Sequence, residues 1–337
     1  PLRVAVVGAG AISGAYELAM RQMQDAAITA VCDVNRDHAE TFAQRAHCRA
    51  FASLDALVDS GGFDVAVVCT PPATHEPVAC SLLAAGAHVL CEKPLAIDAE
   101  SAARMLNAAS QYGRILTMAS KFRFARDVRV ARDLTHGGVI GDLVFLENAF
   151  TGRVDMRSRW NGDRAVSGGG VLMDNGTHAV DLLRYFMGPL SHVQVVEGRR
   201  FQELSVEDTV RLFVRNSDSV MGTSDLSWSI DKHLGSYLRL YGTRGTIVVG
   251  WSESKYVLND SPQWTTFGDG YDKVQAFRDQ LANFFAAVRG EADLLVTPLD
   301  ALASVDVVRA AYDAMERSGW QPVNASWSVQ PPALQVS

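Results

Sequence analysis

Asp174 and His178 stand four residues apart in the run Gly168-Gly169-Gly170-Val171-Leu172-Met173-Asp174-Asn175-Gly176-Thr177-His178. On a helix that spacing puts both on one face, with Cβ atoms about 5–6 Å apart. A carboxylate so placed can orient an imidazole, whose reference pKa of about 6.5 suits general acid/base work near neutral pH. His178 is therefore the expected acid/base and Asp174 its orienting partner. Asp181 falls near the same stripe. The glycine triplet upstream allows a ligand close to the backbone. By itself the D-x-x-x-H-x-x-D pattern also fits a metal site or an ordinary helical ion pair. No second His or Cys cluster accompanies it, so no metal is expected.

A second group is Cys91-Glu92-Lys93-Pro94, directly after the apolar run His88–Cys91. A lysine, with a reference pKa of about 10.4, is charged at pH 7 and can polarise a substrate oxygen. Out of context, Lys93 reads equally as an exposed loop lysine. Thr70-Pro71-Pro72-Ala73-Thr74-His75 likewise follows the run Val65–Cys69. His75 alone is as well explained by an ordinary satisfied polar role.

The amino terminus carries Gly8-Ala9-Gly10-Ala11-Ile12-Ser13-Gly14 between a strand-like run and a helical pattern. Gly8 permits a tight turn. Gly10 lets the backbone approach a pyrophosphate at the helix N-terminus, where free N–H groups attract anions. Ser13 takes the third fingerprint position, where glycine or alanine is usual. Asp33 lies 23 residues beyond Gly10, at the end of the next strand-like run. It is placed to accept bonds from the adenosine ribose hydroxyls, which favours NAD over NADP. A 2′-phosphate there would face a like charge, at about 4 kcal/mol per unit pair 4 Å apart with an effective dielectric of 20. Arg36 is near enough in sequence to offset part of that. The expected cofactor contacts are Gly8, Gly10, Ala11, Ile12, Asp33, Arg36, Thr70, Pro71, His75, Glu92 and Lys93.

These groups need elements to hold them. Val- and Ile-rich runs at Leu2–Val7, Ile28–Cys32, Cys48–Phe51, Val65–Cys69, His88–Cys91 and Ile115–Ala119 read as strands buried on both faces. Helical spacing fills the gaps: Ile12 to Met23, Arg36–Ala46, Pro77–Ala85, and Asp98–Tyr112 with Asp98 as N-cap. That alternation predicts a doubly wound parallel sheet over residues 1–121, with ligands at the carboxyl ends of its strands. From residue 122 strands dominate, at Leu143–Phe150, His192–Arg199, Val206–Arg215, Ser219–Trp228, Tyr237–Tyr241 and Thr246–Trp251. Val210, Leu212 and Val214 alternate with Arg211, Phe213 and Arg215, as in a two-faced sheet. Two helices follow, one along Val274 to Val288 and one opening at Thr297-Pro298. The expectation for 122–337 is an α+β domain with a large, mainly antiparallel sheet.

A length of 337 residues suits about two domains. With 48% hydrophobic and 20% charged residues, neither disorder nor coiled coil fits. A net charge of −7 argues against a nucleic-acid partner. No apolar run spans a bilayer, and the start shows no signal-peptide pattern. A soluble cytoplasmic enzyme is expected. Cys32, Cys48, Cys69, Cys80 and Cys91 lack the paired spacing of a disulfide framework or thiolate zinc site and read as small hydrophobes.

Taken together, the G-x-G turn, Glu92-Lys93-Pro94 and the 168–178 run resemble the Gfo/Idh/MocA family, as do Phe122-Arg123-Phe124 and Ala311-Tyr312. The resemblance covers nearly the whole chain. It implies NAD(P)-dependent oxidoreduction of a sugar or cyclitol hydroxyl, with Lys93, Asp174 and His178 as the catalytic set. It also places Arg123 near the cleft, and Trp160 among Arg153, Arg157, Arg159 and Arg164 is a further candidate. Expected substrate contacts are thus Lys93, Arg123, Trp160, Asp174 and His178. A neutral polyol is slightly favoured, and an anionic sugar stays open. Two other classes remain: a lyase or glycoside-cleaving member that oxidises transiently, and a non-catalytic sugar or dinucleotide sensor. The second sheet, with an apolar face left uncovered, predicts a homodimer or homotetramer.

Overall fold

The computed structural model describes residues 1–324. Its first part alternates β1 (Leu2–Val7), α1 (Ser13–Met20), β2 (Ala26–Cys32), α2 (Arg36–Ala46), β3 (Arg49–Phe51), α3 (Leu54–Ser60), β4 (Val65–Val68), α4 (His75–Ala84), β5 (His88–Cys91), α5 (Ala99–Gln111) and β6 (Leu116–Met118). The strands form a parallel sheet in the order β3-β2-β1-β4-β5-β6. The order reverses between β1 and β4, and a crevice opens there at the carboxyl ends. Val65 to Val68 are fully buried, as the continuous apolar run predicts. Asp98 caps α5, accepting from Ser101 N at 2.7 Å. The sequence reading missed α3, whose cap is Ser53.

The second part runs α6 (Arg126–His136), β7 (Leu143–Thr151), α7 (Arg164–Ser167), α8 (Val171–Met187), β8 (Leu190–Glu197), β9 (Thr209–Asn216), β10 (Met221–Ser227), β11 (Ser236–Gly242), β12 (Gly245–Gly250), β13 (Ser254–Leu258), β14 (Ser261–Gly268), α9 (Lys273–Val288), α10 (Pro298–Arg317) and β15 (Gln321–Pro322). Nine strands form one sheet in the order β14-β13-β12-β11-β7-β10-β9-β8-β15. All its pairs are antiparallel except β7 with β10. Val210, Leu212 and Val214 turn inward and share a core with Val180, Leu183 and Val307 of α8 and α10. Thr297 caps α10 in a reciprocal capping box with Asp300.

Residues 1–121 do not pack as a separate unit. Phe277, Leu281, Phe284 and Phe285 of α9 lie against Val4, Val6 and Tyr16 on one side of the parallel sheet. Ala301, Leu302 and Val305 of α10 join the core on its other side. The open face of the nine-stranded sheet also differs from expectation, because it is not simply apolar. Asp225 pairs there with Arg211 and Lys232, and Tyr241, whose ring lies 6.1 Å from that of Phe145, donates to Glu147. Cys32, Cys69 and Cys91 are buried, and burial pushes the Cys32 thiol up to about 11. Among the described residues no helix is long and apolar enough to cross a membrane.

Candidate active site

The carboxyl ends of β4, β5 and β6 and the amino end of α8 meet around a cavity of about 490 Å³. Ile12, Thr70, Glu92 and Lys93 line it from the parallel sheet, and Asp174, Asn175 and His178 from α8. Arg159, Trp160, Trp228 and Trp251 belong to the wall beyond them. Trp160 is 45% exposed, as a residue at an open mouth should be.

Lys93 is held from both sides. Its backbone N–H donates to Glu92 Oε2 at 3.1 Å, while Glu92 Oε1 accepts from the buried Tyr16 hydroxyl at 2.7 Å. Both Glu92 oxygens thus act in positioning the Lys93 loop. The Lys93 ammonium crosses to α8, donating to the Asp174 carboxylate and, at 3.1 Å, to its carbonyl. The two side chains retain 15% and 23% exposure.

This overturns the expected Asp174–His178 pair. No hydrogen bond joins them among the described residues, because a cationic ammonium outcompetes a neutral imidazole for the carboxylate. His178 instead sets its ring edge-to-face on Phe122, with centroids 5.1 Å apart. Burial, and then the charges of Lys93 and Lys121, holds its pKa well below 6.5. The imidazole is accordingly neutral at pH 7 and free to accept a proton.

Arg123 is a second correction. Its guanidinium pairs with Asp181 at 2.7 Å and lies 3.4 Å from Asp300, with a side chain only 4% exposed. It ties α8 to α10 and does not line the cavity. Asp181 is accordingly a structural partner. The glycine triplet also serves packing. A Cβ on Gly169 would lie 1.9 Å from the Tyr312 hydroxyl, and one on Gly170 would lie 2.0 Å from Glu207 O. The Glu207 carboxylate caps α8, accepting from Gly170 N and Leu172 N at 3.0 Å and from Tyr312 at 2.8 Å. Gly170→Ala should cost about 1–3 kcal/mol of stability through overpacking. An unchanged midpoint in thermal and urea unfolding would contradict this.

The amino-terminal turn fits a dinucleotide. Gly8 has φ +96°, and a Cβ there would lie 2.7 Å from Cys69 C. Gly10 faces open space, and Ala11 continues the turn into α1. The Thr70 Oγ1 at the cavity wall is buried without a partner among the described residues. Asp33 accepts from Ala9 N at 2.6 Å and Asn35 N at 2.8 Å, which fixes the turn against the end of β2.

Three other expected cofactor contacts are placed differently. Arg36 is on the surface and paired with Glu40 at 2.7 Å. His75 is fully buried, with its two ring nitrogens 2.8 Å from Pro94 O and Thr70 O. It braces the two loops from inside, where burial lowers its pKa. Pro71 opens the short turn Pro72–Thr74 outside the cavity wall.

Of the arginines near Trp160, Arg157 pairs with Asp155 at 2.7 Å, and Arg159 lines the cavity. Asp163 caps α7. Sequence reasoning missed Lys121, Asn175, Trp228 and Trp251. Lys121 had a usable signal, since it follows a strand at the same sheet edge as Lys93. The tryptophans had none. Among the described residues no group of three His, Cys, Asp or Glu could hold a metal ion.

The model of an oxidoreductase family with an NAD-binding Rossmann fold matches residues 2–120. The model of the GFO/IDH/MocA C-terminal domain matches residues 128–248. D-glucoside 3-dehydrogenase of Escherichia coli is 28% identical over 77% of this chain and 71% of its own. Inositol 2-dehydrogenase of Leifsonia xyli is 26% identical, over 82% and 84%. A levoglucosan dehydrogenase in complex with NADH superposes with a TM-score of 0.89 at 20% identity, over 96% of this chain and 99% of that one.

Proposed function

This chain belongs to the Gfo/Idh/MocA family of NAD-binding oxidoreductases, and from that premise we propose that it transfers a hydride between NAD and a secondary hydroxyl of a sugar or cyclitol. The observation that carries the reading is the convergence of the Lys93–Asp174 pair and neutral His178 on one cavity at the switch point. In the oxidative direction the substrate carbon loses the hydride and its oxygen loses the proton. His178 accepts that proton. The Lys93 ammonium, steadied by Asp174, donates a hydrogen bond to the same oxygen as negative charge develops there. Thr70, Asp33 and the Gly8–Ile12 turn hold the cofactor. Polyols, aldoses, glycosides, sugar phosphates and nucleotide sugars are tested by the appearance of NADH together with a ketone product. Formation of neither across the panel, with NAD shown to bind, would sink the proposal.

Asp33 supports NAD over NADP. The ratio of kcat/KM values should favour NAD by about tenfold or more, from like-charge repulsion of a 2′-phosphate. Asp33→Ala should narrow it, and equal efficiency with both cofactors in the parent would refute this assignment. We also propose a homodimer or homotetramer built on the open face of the nine-stranded sheet. Its aromatic residues and self-complementary ion pairs suit an isologous contact. Sedimentation as a single chain at assay concentration would count against it.

A further inference from the structure

We propose that the substrate is a sugar acid whose carboxylate pairs with Lys121 inside the cleft, an inference that rests on the hydride-transfer reading above. Lys121 lies three residues beyond the end of β6 and lines the same cavity as Lys93 and His178. Its ammonium lies 5.3 Å from the ring centroid of Phe122 and 5.7 Å from that of Phe277. Among the described residues no carboxylate pairs with it.

The acids on the wall are already engaged. Asp174 holds Lys93, and Glu92 accepts from Tyr16 and from Lys93 N–H. Glu92 is the strongest charged neighbour of Lys121 and favours its ammonium, as Asp174 does more weakly, while Lys93 and Lys273 oppose it. Burial, the largest influence, lowers the Lys121 pKa to about 8. A largely desolvated ammonium between two aromatic rings is best stabilised by an anion. A neutral sugar hydroxyl offers a hydrogen bond but no opposite charge. One ammonium matches the single charge of a carboxylate and neutralises only about half that of a phosphate dianion. The other unpaired cation on the wall is Arg159, on the exposed segment at the mouth.

The test measures kcat/KM at saturating NAD. D-glucuronate, D-galacturonate and D-gluconate are compared with D-glucose, D-galactose, myo-inositol and D-glucose 6-phosphate. The acids should exceed their neutral counterparts. Lys121→Met should lower kcat/KM for the acid about 10–100-fold, chiefly through KM, the span of a lost charged hydrogen bond. It should cost neutral substrates much less, so that the acid-to-neutral ratio of kcat/KM falls by that factor, and Lys121→Arg should restore most of the ratio.

A second readout uses the parent protein, so it survives poor folding of a variant. The ammonium is lost above about pH 8, so KM for the acid should rise there while KM for a neutral substrate does not. The groups facing Lys121 are Glu92, Lys93, Asp174, Lys273 and, through its own charge, His178. Neutral sugars turned over as well as the acids, or a phosphate ester preferred to both, would overturn the proposal and leave hydride transfer standing. An equal loss for every substrate in Lys121→Met, or a raised KM for NAD alone, would assign the lysine to the cofactor and also overturn it. Reduction of NAD by none of these compounds would overturn the sugar-acid proposal, and the hydride-transfer reading would fall only if the wider panel above also gave no NADH.

Discussion

Replacing His178 by alanine lowers kcat by about 10²–10⁴-fold, the span expected for a positioned acid or base. The imidazole has no hydrogen-bond partner among the described residues and sits on the cavity wall, so it is available to the substrate proton. The sign of its pH dependence follows from burial and two neighbouring ammonium groups. Both disfavour the imidazolium, and the pKa lies well below 6.5. The parent enzyme should therefore keep its kcat/KM from neutral pH down past 6.5 and lose it only in more acid solution. His178→Gln, which keeps more of the packing against Phe122, separates loss of the base from loss of the fold. Unchanged kcat in either variant would remove His178 from the mechanism, and an acidic limb at or above pH 6.5 would show that burial and the two ammonium groups do not lower its pKa.

Lys93→Met lowers kcat by about 10²–10³-fold, the range for deleting one donor aimed at developing negative charge. NAD affinity, read by calorimetry, should be retained, because the turn and Asp33 do not depend on Lys93. Asp174→Asn should lose part of the same activity, since its carboxylate acts by holding the ammonium. The double variant should be no worse than Lys93→Met alone, the non-additivity of two groups acting as a unit. Additive losses would show that Asp174 contributes independently of Lys93. Unchanged turnover in Lys93→Met would remove the ammonium as the donor to the substrate oxygen.

Much of this molecule is determined within short stretches of chain. The buried strands of the parallel sheet show as unbroken Val- and Ile-rich runs, and Asp98 and Thr297 announce their helices by their own side chains. Val210, Leu212 and Val214 declare a two-faced sheet by alternation alone. The types of the reacting groups, Lys93, Asp174 and His178, were also legible. The strands β13 and β14 were not, because they lie at the sheet edge and β14 is mostly exposed, with no apolar face to impose a period.

What only the tertiary structure decided is which charge meets which. Asp174 chooses Lys93, 81 residues away, over His178 one turn along the same helix. Arg123 is drawn from the cleft into a buried pair with Asp181, and the glycine triplet yields its space to Tyr312 and Glu207. Local spacing determines which partners are within reach. The choice among them is electrostatic and steric, made against groups that arrive from distant parts of the chain, and desolvation on folding sharpens it.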